Sequence, residues 1–432
     1  VIRLVRVKPT YGYGKPHEWI EDSPHRVRPS CIVADKCGGC QWQHVDYDFQ
    51  LTAKRNQIIQ DLERIGGFEN PPVEPVLAIG EPLGYRNKAT YPLRRVADSD
   101  RSRRDGGRTP VLRSPSLRSP SYSVQAGYYQ KGSHQLINLN QCPIQDARLN
   151  PLLADLKHDI AKQQWRIYDE ATHRGELRHL GLRIGRRTGE ILVTLVATEG
   201  NLPRLATQAE NWLKSYRGLV GVLLNRNPKR TNVILGATTE CVAGRPYLNE
   251  VFAGLTFQLR GDTFFQVNTE QAEALLEAIA HELRLTGNEV LLDAYCGIGT
   301  LTLPLAKQVK QAIALELQLE AIAQAQLNAQ LNGITNVEFQ VGAVEDLLPR
   351  LDIAADVVLL DPPRKGCAPE VIAALCQMHP ARIVYVSCNP STLARDLKLL
   401  REQGNYRLTR VQPADFFPQT GHVECAAFLQ AT

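Results

Sequence analysis

The last third of the chain carries the feature that most constrains its fold, an alternation of strand-like and helix-like runs that starts near residue 286. Helix-like runs lie between most of the strand-like ones, which predicts a mainly parallel sheet with helices on both faces. The last two strand-like runs follow each other without a helix and predict a terminal antiparallel hairpin. The sequence therefore predicts an α/β, Rossmann-like domain whose seven strands are EVLLD, QAIALE, NVEFQV, DVVLLD, RIVYVS, YRLTRV and HVECAAFLQ.

Size and composition fit a protein of two or three domains. The chain has 432 residues, of which 43% are hydrophobic. It has no run of about 18 apolar residues, so no membrane span is predicted. Ten cysteines without a secretion-signal pattern indicate a reducing compartment, and we expect a cytoplasmic protein.

Residues 31–260 are predicted to hold a cysteine cluster and a middle α+β domain. Residues 46–65 read as an amphipathic helix that Gly66 and Gly67 stop, and short strand-like runs, TNVILG among them, extend from about 75 to 260. Within this region, residues 97–122 are rich in Ser, Arg and Pro, which predicts a disordered insert. Eight arginines against three aspartates between Arg94 and Arg118 favour a phosphate-bearing partner, although a solvated charge run fits equally well.

Polar and glycine residues at the ends of three predicted strands indicate a nucleoside cofactor. The first strand ends at Asp293 before Gly297 and Gly299, the second at Glu316, and the fourth runs into Asp361 and two prolines. Ligands of open parallel sheets bind beyond the carboxyl ends of the strands, where a carboxylate can accept ribose hydroxyls. A tight structural turn and a helix-capping acid are the alternatives. The pattern G-x-G-x-x-G is incomplete, which favours S-adenosylmethionine over NAD.

Cys388 and Glu424 form a candidate catalytic pair. Cys388 follows the fifth strand directly before a helix predicted from Pro390, and a helix N-terminus is expected to lower the pKa of a thiol. A small buried apolar side chain is the alternative interpretation. Glu424 lies in the last strand-like run, where a carboxylate among apolar residues requires a reason. A thiolate that adds to carbon 6 of uracil makes carbon 5 nucleophilic, and a base must later remove the carbon 5 proton.

With these residues in place, the sequence resembles the RNA uracil-C5 methyltransferase family. The resemblance covers residues 261–424 and implies a class I methyltransferase domain over 261–432. It implies that Cys388 attacks the base, that Glu424 takes the proton, and that adenosylmethionine is bound by Gln266, Tyr295, Glu316 and Asp361. Thr300 departs from the pattern, since many members have Asn there. The segments that carry the resemblance are GDTFFQVN, DAYCGIGTLTLPLA, DPPRKG, SCNP and HVE.

Two other functions are alternatives to uracil methylation. Methyltransferases that act on an amino group also use Asp-Pro-Pro, but an aromatic residue follows, whereas Arg364 stands here. A non-catalytic RNA-binding or chaperone protein on the same scaffold has no need for Cys388 and Glu424. We therefore expect an RNA methyltransferase that acts on 23S ribosomal RNA, with transfer RNA as the alternative substrate.

Four cysteines outside the catalytic region are candidate metal ligands. Cys31, Cys37 and Cys40 have the spacing C-x5-C-x2-C, and Cys142 supplies a possible fourth thiolate. The spacing alone divides evenly between zinc and an iron–sulfur cluster. The resemblance favours a structural [4Fe-4S] cluster, because members similar to the ribosomal RNA enzymes carry one. The family also begins with a β-barrel RNA-binding domain, so residues 1–30 are expected to be its truncated end, and the middle domain over 31–260 is expected to bind RNA. We infer no obligate protein partner and expect a monomer.

Overall fold

The computed structural model describes residues 1–97, 122–199 and 201–432. The insert predicted at 97–122 lies outside these residues except at its two ends. Within the described residues, no helix is both long and apolar enough to cross a membrane.

The chain begins with an exposed hairpin and one long helix. The hairpin pairs β1 with β2 in antiparallel register, and no residue of either strand is buried. The helix α1 begins after Asp46, whose side chain accepts a hydrogen bond from the backbone N–H of Phe49 (3.2 Å). It ends before Gly66, as predicted. The bounds are β1 Ile2–Val7, β2 Gly12–Pro16 and α1 Tyr47–Arg64.

A seven-stranded sheet with the order β5-β4-β3-β6-β7-β8-β9 forms the middle of the molecule. All of its strand pairs are antiparallel except β7–β8, which are parallel. Buried leucines of α2 and the tryptophans Trp165 and Trp212 share one hydrophobic core with this sheet. A two-stranded hairpin, β10–β11, follows. The bounds are β3 Lys88–Ala97, β4 Tyr122–Tyr129, β5 Leu136–Asn138, α2 Leu149–Lys162, β6 Leu177–Ile184, β7 Ile191–Ala197, α3 Leu205–Ser215, β8 Leu219–Arg226, β9 Thr238–Gly244, β10 Tyr247–Phe252 and β11 Leu255–Arg260.

The second seven-stranded sheet has the order β14-β13-β12-β15-β16-β18-β17. The neighbouring strands from β14 to β16 are parallel, and β18 and β17 form the antiparallel end, so the predicted fold class is confirmed. The bounds are α4 Thr269–Leu283, β12 Val290–Asp293, α5 Thr302–Ala306, β13 Gln311–Glu316, α6 Leu319–Leu331, β14 Val337–Val341, α7 Val344–Leu347, β15 Val357–Leu360, α8 Pro369–Met378, β16 Arg382–Ser387, α9 Pro390–Gly404, β17 Tyr406–Ala414 and β18 Glu424–Ala431.

This strand order fixes where a ligand can bind. The chain runs from β12 outward to β13 and β14, and then returns to β15 on the other side of β12. A crevice opens at such a reversal, beyond the carboxyl ends of the strands. The strands β12 and β15 are buried almost throughout, which matches their unbroken runs of Val and Leu. The loops after β12, β13, β15 and β16 therefore share one edge, which we call the carboxyl edge.

One strand prediction was wrong. The run TNVILG, residues 231–236, is a loop, and the strand β9 begins only at Thr238. Asparagine side chains hold this loop: the amide of Asn227 donates to the carbonyls of Val233 and Ile234 at 2.7 and 2.9 Å. These bonds satisfy backbone groups that a strand would have paired.

Candidate active site

The carboxyl edge brings three of the predicted site residues, Glu316, Asp361 and Cys388, to strand ends that neighbour Asp293. Asp293 and Glu316 end β12 and β13, while Asp361 directly follows β15 and Cys388 directly follows β16. Glu424 is the first residue of β18, which leaves this edge antiparallel to β16. These five residues therefore meet at one edge. The parallel strands all end on that side, and the antiparallel β18 begins there.

Cys388 and Glu424 each lie one residue beyond the last pair between β16 and β18. That pair is Ser387 with Cys425, so Cys388 directly follows the end of β16 where Glu424 begins β18. Cys388 is half-buried and Glu424 is buried. Charge on Glu424 and Asp361 acts on the Cys388 thiol, so the three side chains share one electrostatic environment.

The pKa values at this site are shifted in directions that the sequence did not predict. Burial, followed by the charges of Glu424 and Asp361, raises the pKa of the Cys388 thiol, although the helix N-terminus was expected to lower it. Burial and the nearby Asp361 raise the pKa of Glu424 to about 8. Both groups therefore change their charge at or above neutral pH. This is the range in which a general base works best.

Arg364 is a site residue whose role sequence reasoning missed. Its guanidinium partly offsets the rise in the pKa of the Cys388 thiol, and its charge also lowers the pKa of Glu424. Its backbone carbonyl accepts hydrogen bonds from Asn389 Nδ2 (3.0 Å) and Thr392 Oγ1 (3.3 Å) at the start of α9. The loop after β15 is thereby tied to the cysteine loop. The one sequence signal was a cation directly after Asp-Pro-Pro.

The glycine loop after β12 leaves room for a ligand. Gly297 has a positive φ of 55°, and a Cβ added there would meet no atom within 4 Å. Its backbone N–H donates to Glu316 Oε2 (3.2 Å), which orients that carboxylate at the end of β13. Asp293 supports the loop from beneath, since its carboxylate accepts hydrogen bonds from Thr302 Oγ1 (2.6 Å) and the Tyr295 N–H (3.2 Å).

The other predicted cofactor residues lie around this loop. Burial, followed by the charge of Asp293, raises the pKa of Asp361 to about 7. Tyr295 packs partly buried against the core of the second sheet. Gln266 lies between β11 and α4, where its backbone carbonyl accepts a hydrogen bond from Asn87 Nδ2 (2.9 Å). An open glycine loop with a carboxylate at the next strand end fits the nucleoside part of adenosylmethionine.

The four other cysteines lie together against the middle sheet. The N–H of Gly38 donates to the carbonyl of Tyr129 in β4 (2.9 Å), and a Cβ at Gly38 would stand 2.8 Å from that oxygen. Only glycine allows this close approach. We call Cys31, Cys37, Cys40 and Cys142 the cysteine group.

Burial raises the pKa values of Cys37, Cys40 and Cys142. Burial, with added charge effects from Cys142, Cys37 and Cys31, raises the pKa of Cys40 to about 11. The Gly39 N–H donates to Cys37 Sγ (3.4 Å). As the side chains stand, the described residues contain no group of three Cys, His, Asp or Glu that could hold a metal ion. The thiols of Cys31, Cys37 and Cys142 are near enough to Cys40 for their charges to act on it, and thiolates are the donors that zinc and iron–sulfur clusters use.

The fold and the carboxyl edge together define a class I methyltransferase. A family model described as tRNA (uracil-5-)-methyltransferase matches residues 126–432. The chain is 64% identical over 429 residues to an uncharacterized RNA methyltransferase of Nostoc sp., an alignment that covers 99% of this chain and 88% of that relative. A second uncharacterized RNA methyltransferase, from Synechocystis sp., is 53% identical over 430 residues and is covered to 88%.

A solved structure agrees with these sequence matches. The tRNA (uracil-54, C5)-methyltransferase of Pyrococcus abyssi, in complex with S-adenosyl-L-homocysteine, superposes with a TM-score of 0.74 at 26% identity. The match covers 99% of this chain and 91% of that one. The chain belongs to the tRNA (uracil-5-)-methyltransferase family and is an RNA methyltransferase, so the predicted family is confirmed.

Proposed function

We propose that this protein methylates carbon 5 of a uridine in RNA, with S-adenosylmethionine as the methyl donor and Cys388 as the nucleophile. The observation that carries the proposal is a half-buried thiol and a buried carboxyl group, each one residue beyond the last pair of β16 with β18, with the charge of Glu424 acting on Cys388. The two groups have separate tasks. Burial raises the pKa of Glu424 to about 8, which suits a base, while the rise that burial causes in the pKa of the Cys388 thiol is partly offset by Arg364.

Cys388 begins the reaction. Its thiolate forms a bond to carbon 6 of the uracil, and the electron pair of the 5,6 double bond moves into an enolate that ends on oxygen 4. Carbon 5 is then nucleophilic enough to accept a methyl group. Arg364 assists this step from the loop after β15, because its guanidinium favours the charged thiolate.

Glu424 completes the reaction. Once carbon 5 carries the methyl group, its remaining proton must leave before the thiolate can. The Glu424 carboxylate accepts that proton, the enolate re-forms, and Cys388 departs from carbon 6 as the double bond returns. A pKa of about 8 makes this carboxylate a far stronger base than an ordinary glutamate.

The carboxyl edge would hold the methyl donor next to this pair. Adenosylmethionine supplies an electrophilic methyl group when it is bound. Glu316 would accept the ribose hydroxyls, and Gly297 leaves the open space that the nucleoside needs. We assign Gln266, Tyr295 and Asp361 to the remainder of the cofactor, as the resemblance implies.

We propose ribosomal RNA, 23S in particular, as the substrate. The cysteine group supports this choice, because the resemblance links it to cluster-bearing enzymes of ribosomal RNA. Transfer RNA is the second candidate, and the similarity to the Pyrococcus abyssi transfer RNA enzyme favours it. A purely RNA-binding function without catalysis would leave the paired Cys388 and Glu424 without a task.

We propose that the cysteine group holds a [4Fe-4S] cluster, with zinc as the alternative. Cys31, Cys37, Cys40 and Cys142 would be the ligands, and the methyl transfer needs no electron from the metal. The role of the metal would be to fix the segment that contains residues 31–40 to the middle sheet.

The experiment that tests the proposed function is the mapping of 5-methyluridine in RNA from cells with and without the gene. We expect one or more 5-methyluridines in 23S ribosomal RNA to disappear, while transfer RNA is unchanged. Loss confined to transfer RNA would establish the second candidate. If every 5-methyluridine remained in both RNAs, and purified enzyme methylated neither, the proposed function would be wrong.

A further inference from the structure

The loop that leads into Glu424 is held by residues far away in the sequence. We call residues 415–423, between β17 and β18, the base loop. Most of its contacts come from α1 and from the segment after Cys40, which lie more than 350 residues earlier in the chain. The base loop ends directly at Glu424, so whatever holds it also sets the position of that carboxylate.

A buried ion pair joins α1 to the start of the base loop. Lys54 Nζ lies 2.6 Å from Asp415 Oδ1, and neither side chain is exposed to solvent. The same ammonium donates to the carbonyl of Phe417 (3.1 Å), and the Tyr47 hydroxyl donates to Asp415 Oδ2 (3.1 Å). Burying two charges costs desolvation energy that the pair often fails to recover, so such a pair is better suited to fixing a geometry than to adding stability.

Gln50, one turn before Lys54, binds the middle of the base loop. Its side-chain oxygen accepts the Gln419 N–H (3.1 Å), and its amide nitrogen donates to Gln419 Oε1 (3.1 Å). Gln419 has a left-handed φ of 69°, a conformation that side-chain-bearing residues adopt rarely and at a cost. The bonds from Gln50 offset that cost and hold the bend.

Gln41 and Trp42, which follow Cys40 of the cysteine group, also hold the base loop. We call these two residues, together with Gln50 and Lys54, the clamp. The N–H groups of Gln41 and Trp42 both donate to the carbonyl of Gln419 (3.1 and 3.0 Å). Trp42 also packs against Gly421, where a Cβ would come within 3.2 Å of the indole ring. Cys40 directly precedes Gln41. The backbone that carries Cys40 therefore continues directly into the residues that bond the bend of the base loop.

We propose that Gln50, Lys54 and the segment around Trp42 are positioning residues for Glu424, and that the cysteine group acts on catalysis through this clamp. The inference rests on the proposed function, because Glu424 is the base only in that reaction. A loosened clamp should leave the attack by Cys388 intact, since the cysteine loop is held by Arg364 and α9 instead. It should slow the step that needs Glu424.

Gln50→Met tests this proposal, with Gln57→Met as its matched control. Both positions lie on α1, but Gln57 faces solvent while Gln50 is buried against the base loop. We expect Gln50→Met to lower turnover on uridine RNA about 10- to 100-fold, as a misplaced catalytic group does. The enzyme–RNA adduct with ordinary uridine should accumulate. The rate of adduct formation with 5-fluorouridine RNA, which does not need Glu424, should change less than about twofold.

Hydrogen exchange supplies a readout that is independent of activity. In Gln50→Met, the backbone amides of residues 419–423 should exchange about tenfold faster or more, while those of β16 stay unchanged. Cys40→Ser in the metal-loaded protein should speed the same amides in the same way. Gln57→Met should change neither exchange nor turnover.

Three outcomes would overturn the proposal. Unchanged turnover and exchange in Gln50→Met would show that the clamp does not position Glu424. An equal loss in adduct formation and turnover would indicate general damage instead of a misplaced base. Unchanged base-loop exchange in Cys40→Ser would disconnect the cysteine group from the loop. If the wild-type enzyme formed no 5-fluorouridine adduct at all, the proposed function would fail, whereas the exchange data would still decide the clamp.

Discussion

Cysteines occur in two contrasting settings in this molecule. At the carboxyl edge, Cys388 stands between charges of opposite effect, since Glu424 and Asp361 raise the pKa of its thiol and Arg364 lowers it. In the cysteine group, burial raises the pKa of Cys40 to about 11, the neighbouring thiols add to that rise, and a hydrogen bond with Gln43 offsets only part of it. The first setting can change its charge during a reaction. The second favours neutral thiols until a cation balances their charge, which is the behaviour of a structural metal site.

The largest effect that would separate the two settings is expected from Glu424→Gln. Removing the base should lower turnover by about 10²- to 10⁴-fold, while attack by Cys388 continues. Gel-stable complexes with ordinary uridine RNA should build up. The matched control is Glu338→Gln, an exposed glutamate on β14 of the same sheet. Full turnover by Glu424→Gln would mean that another group removes the carbon 5 proton.

Cys40→Ser should act on stability and metal content more than on chemistry. We expect anaerobically purified wild type to be brown, with about four irons per chain if the cluster is cubane-like. The variant should lose iron and become less stable by about 2 kcal/mol or more, because bound metal adds directly to folding energy. Cys241→Ser, at an exposed thiol, is the control. If metal analysis found one tightly held zinc and negligible iron, the cluster would be ruled out and the site would be a zinc site.

The carboxyl edge should make the folded protein less stable as the pH rises. Glu424 keeps its proton to about pH 8 in the folded state, whereas an unfolded glutamate loses it near pH ~4.3. The folded state then holds the extra proton between these values, so stability falls across that window. Glu424→Gln removes this loss, and its advantage over wild type should grow from pH 4 to pH 8, reaching on the order of 1–4 kcal/mol. Urea unfolding at several pH values measures it, and a difference independent of pH would contradict the raised pKa.

The smallest expected effect concerns Arg364. Because its guanidinium lowers the pKa of Cys388, Arg364→Gln should raise that pKa and shift the pH profile of 5-fluorouridine adduct formation to higher pH. Arg364→Lys keeps the positive charge and should shift the profile less. A profile that stays in place in both variants would remove Arg364 from the activation of the thiol.

Local patterns allowed much of the fold to be predicted. The strand–helix alternation predicted the sheet type and its antiparallel end. Asn268 and Gln271 at the start of the helix Thr269–Leu283 also have the spacing of a capping box. The capping box formed only in part. Asn268 accepts the Gln271 N–H (3.3 Å), but the Gln271 side-chain oxygen accepts instead from the Ile79 N–H (3.0 Å). The backbone N–H of Ile79 takes the place that the N–H of Asn268 has in a capping box. A local sequence pattern contains no information on such a distant partner.

The residues of the site could be predicted from the sequence, but the burial and the charges around them could not. Cys388 and Glu424 could be identified because the hydrophobic periodicity and the order of the strands can be read from the sequence. The direction of the Cys388 pKa shift depends on burial and on charges that β15 and β18 bring to it, and the clamp on the base loop depends on α1. These contacts join positions hundreds of residues apart, so only the folded chain reveals them.

The central claim is that Cys388 forms a covalent bond to the uracil, and 5-fluorouridine tests it most directly. Fluorine at carbon 5 cannot leave as a proton, so the methylated adduct should remain attached to the enzyme. We predict a stable enzyme–RNA complex with wild type and with Cys376→Ala, a half-buried thiol elsewhere in the same sheet domain, and none with Cys388→Ala. A complex that persists in Cys388→Ala would contradict the account.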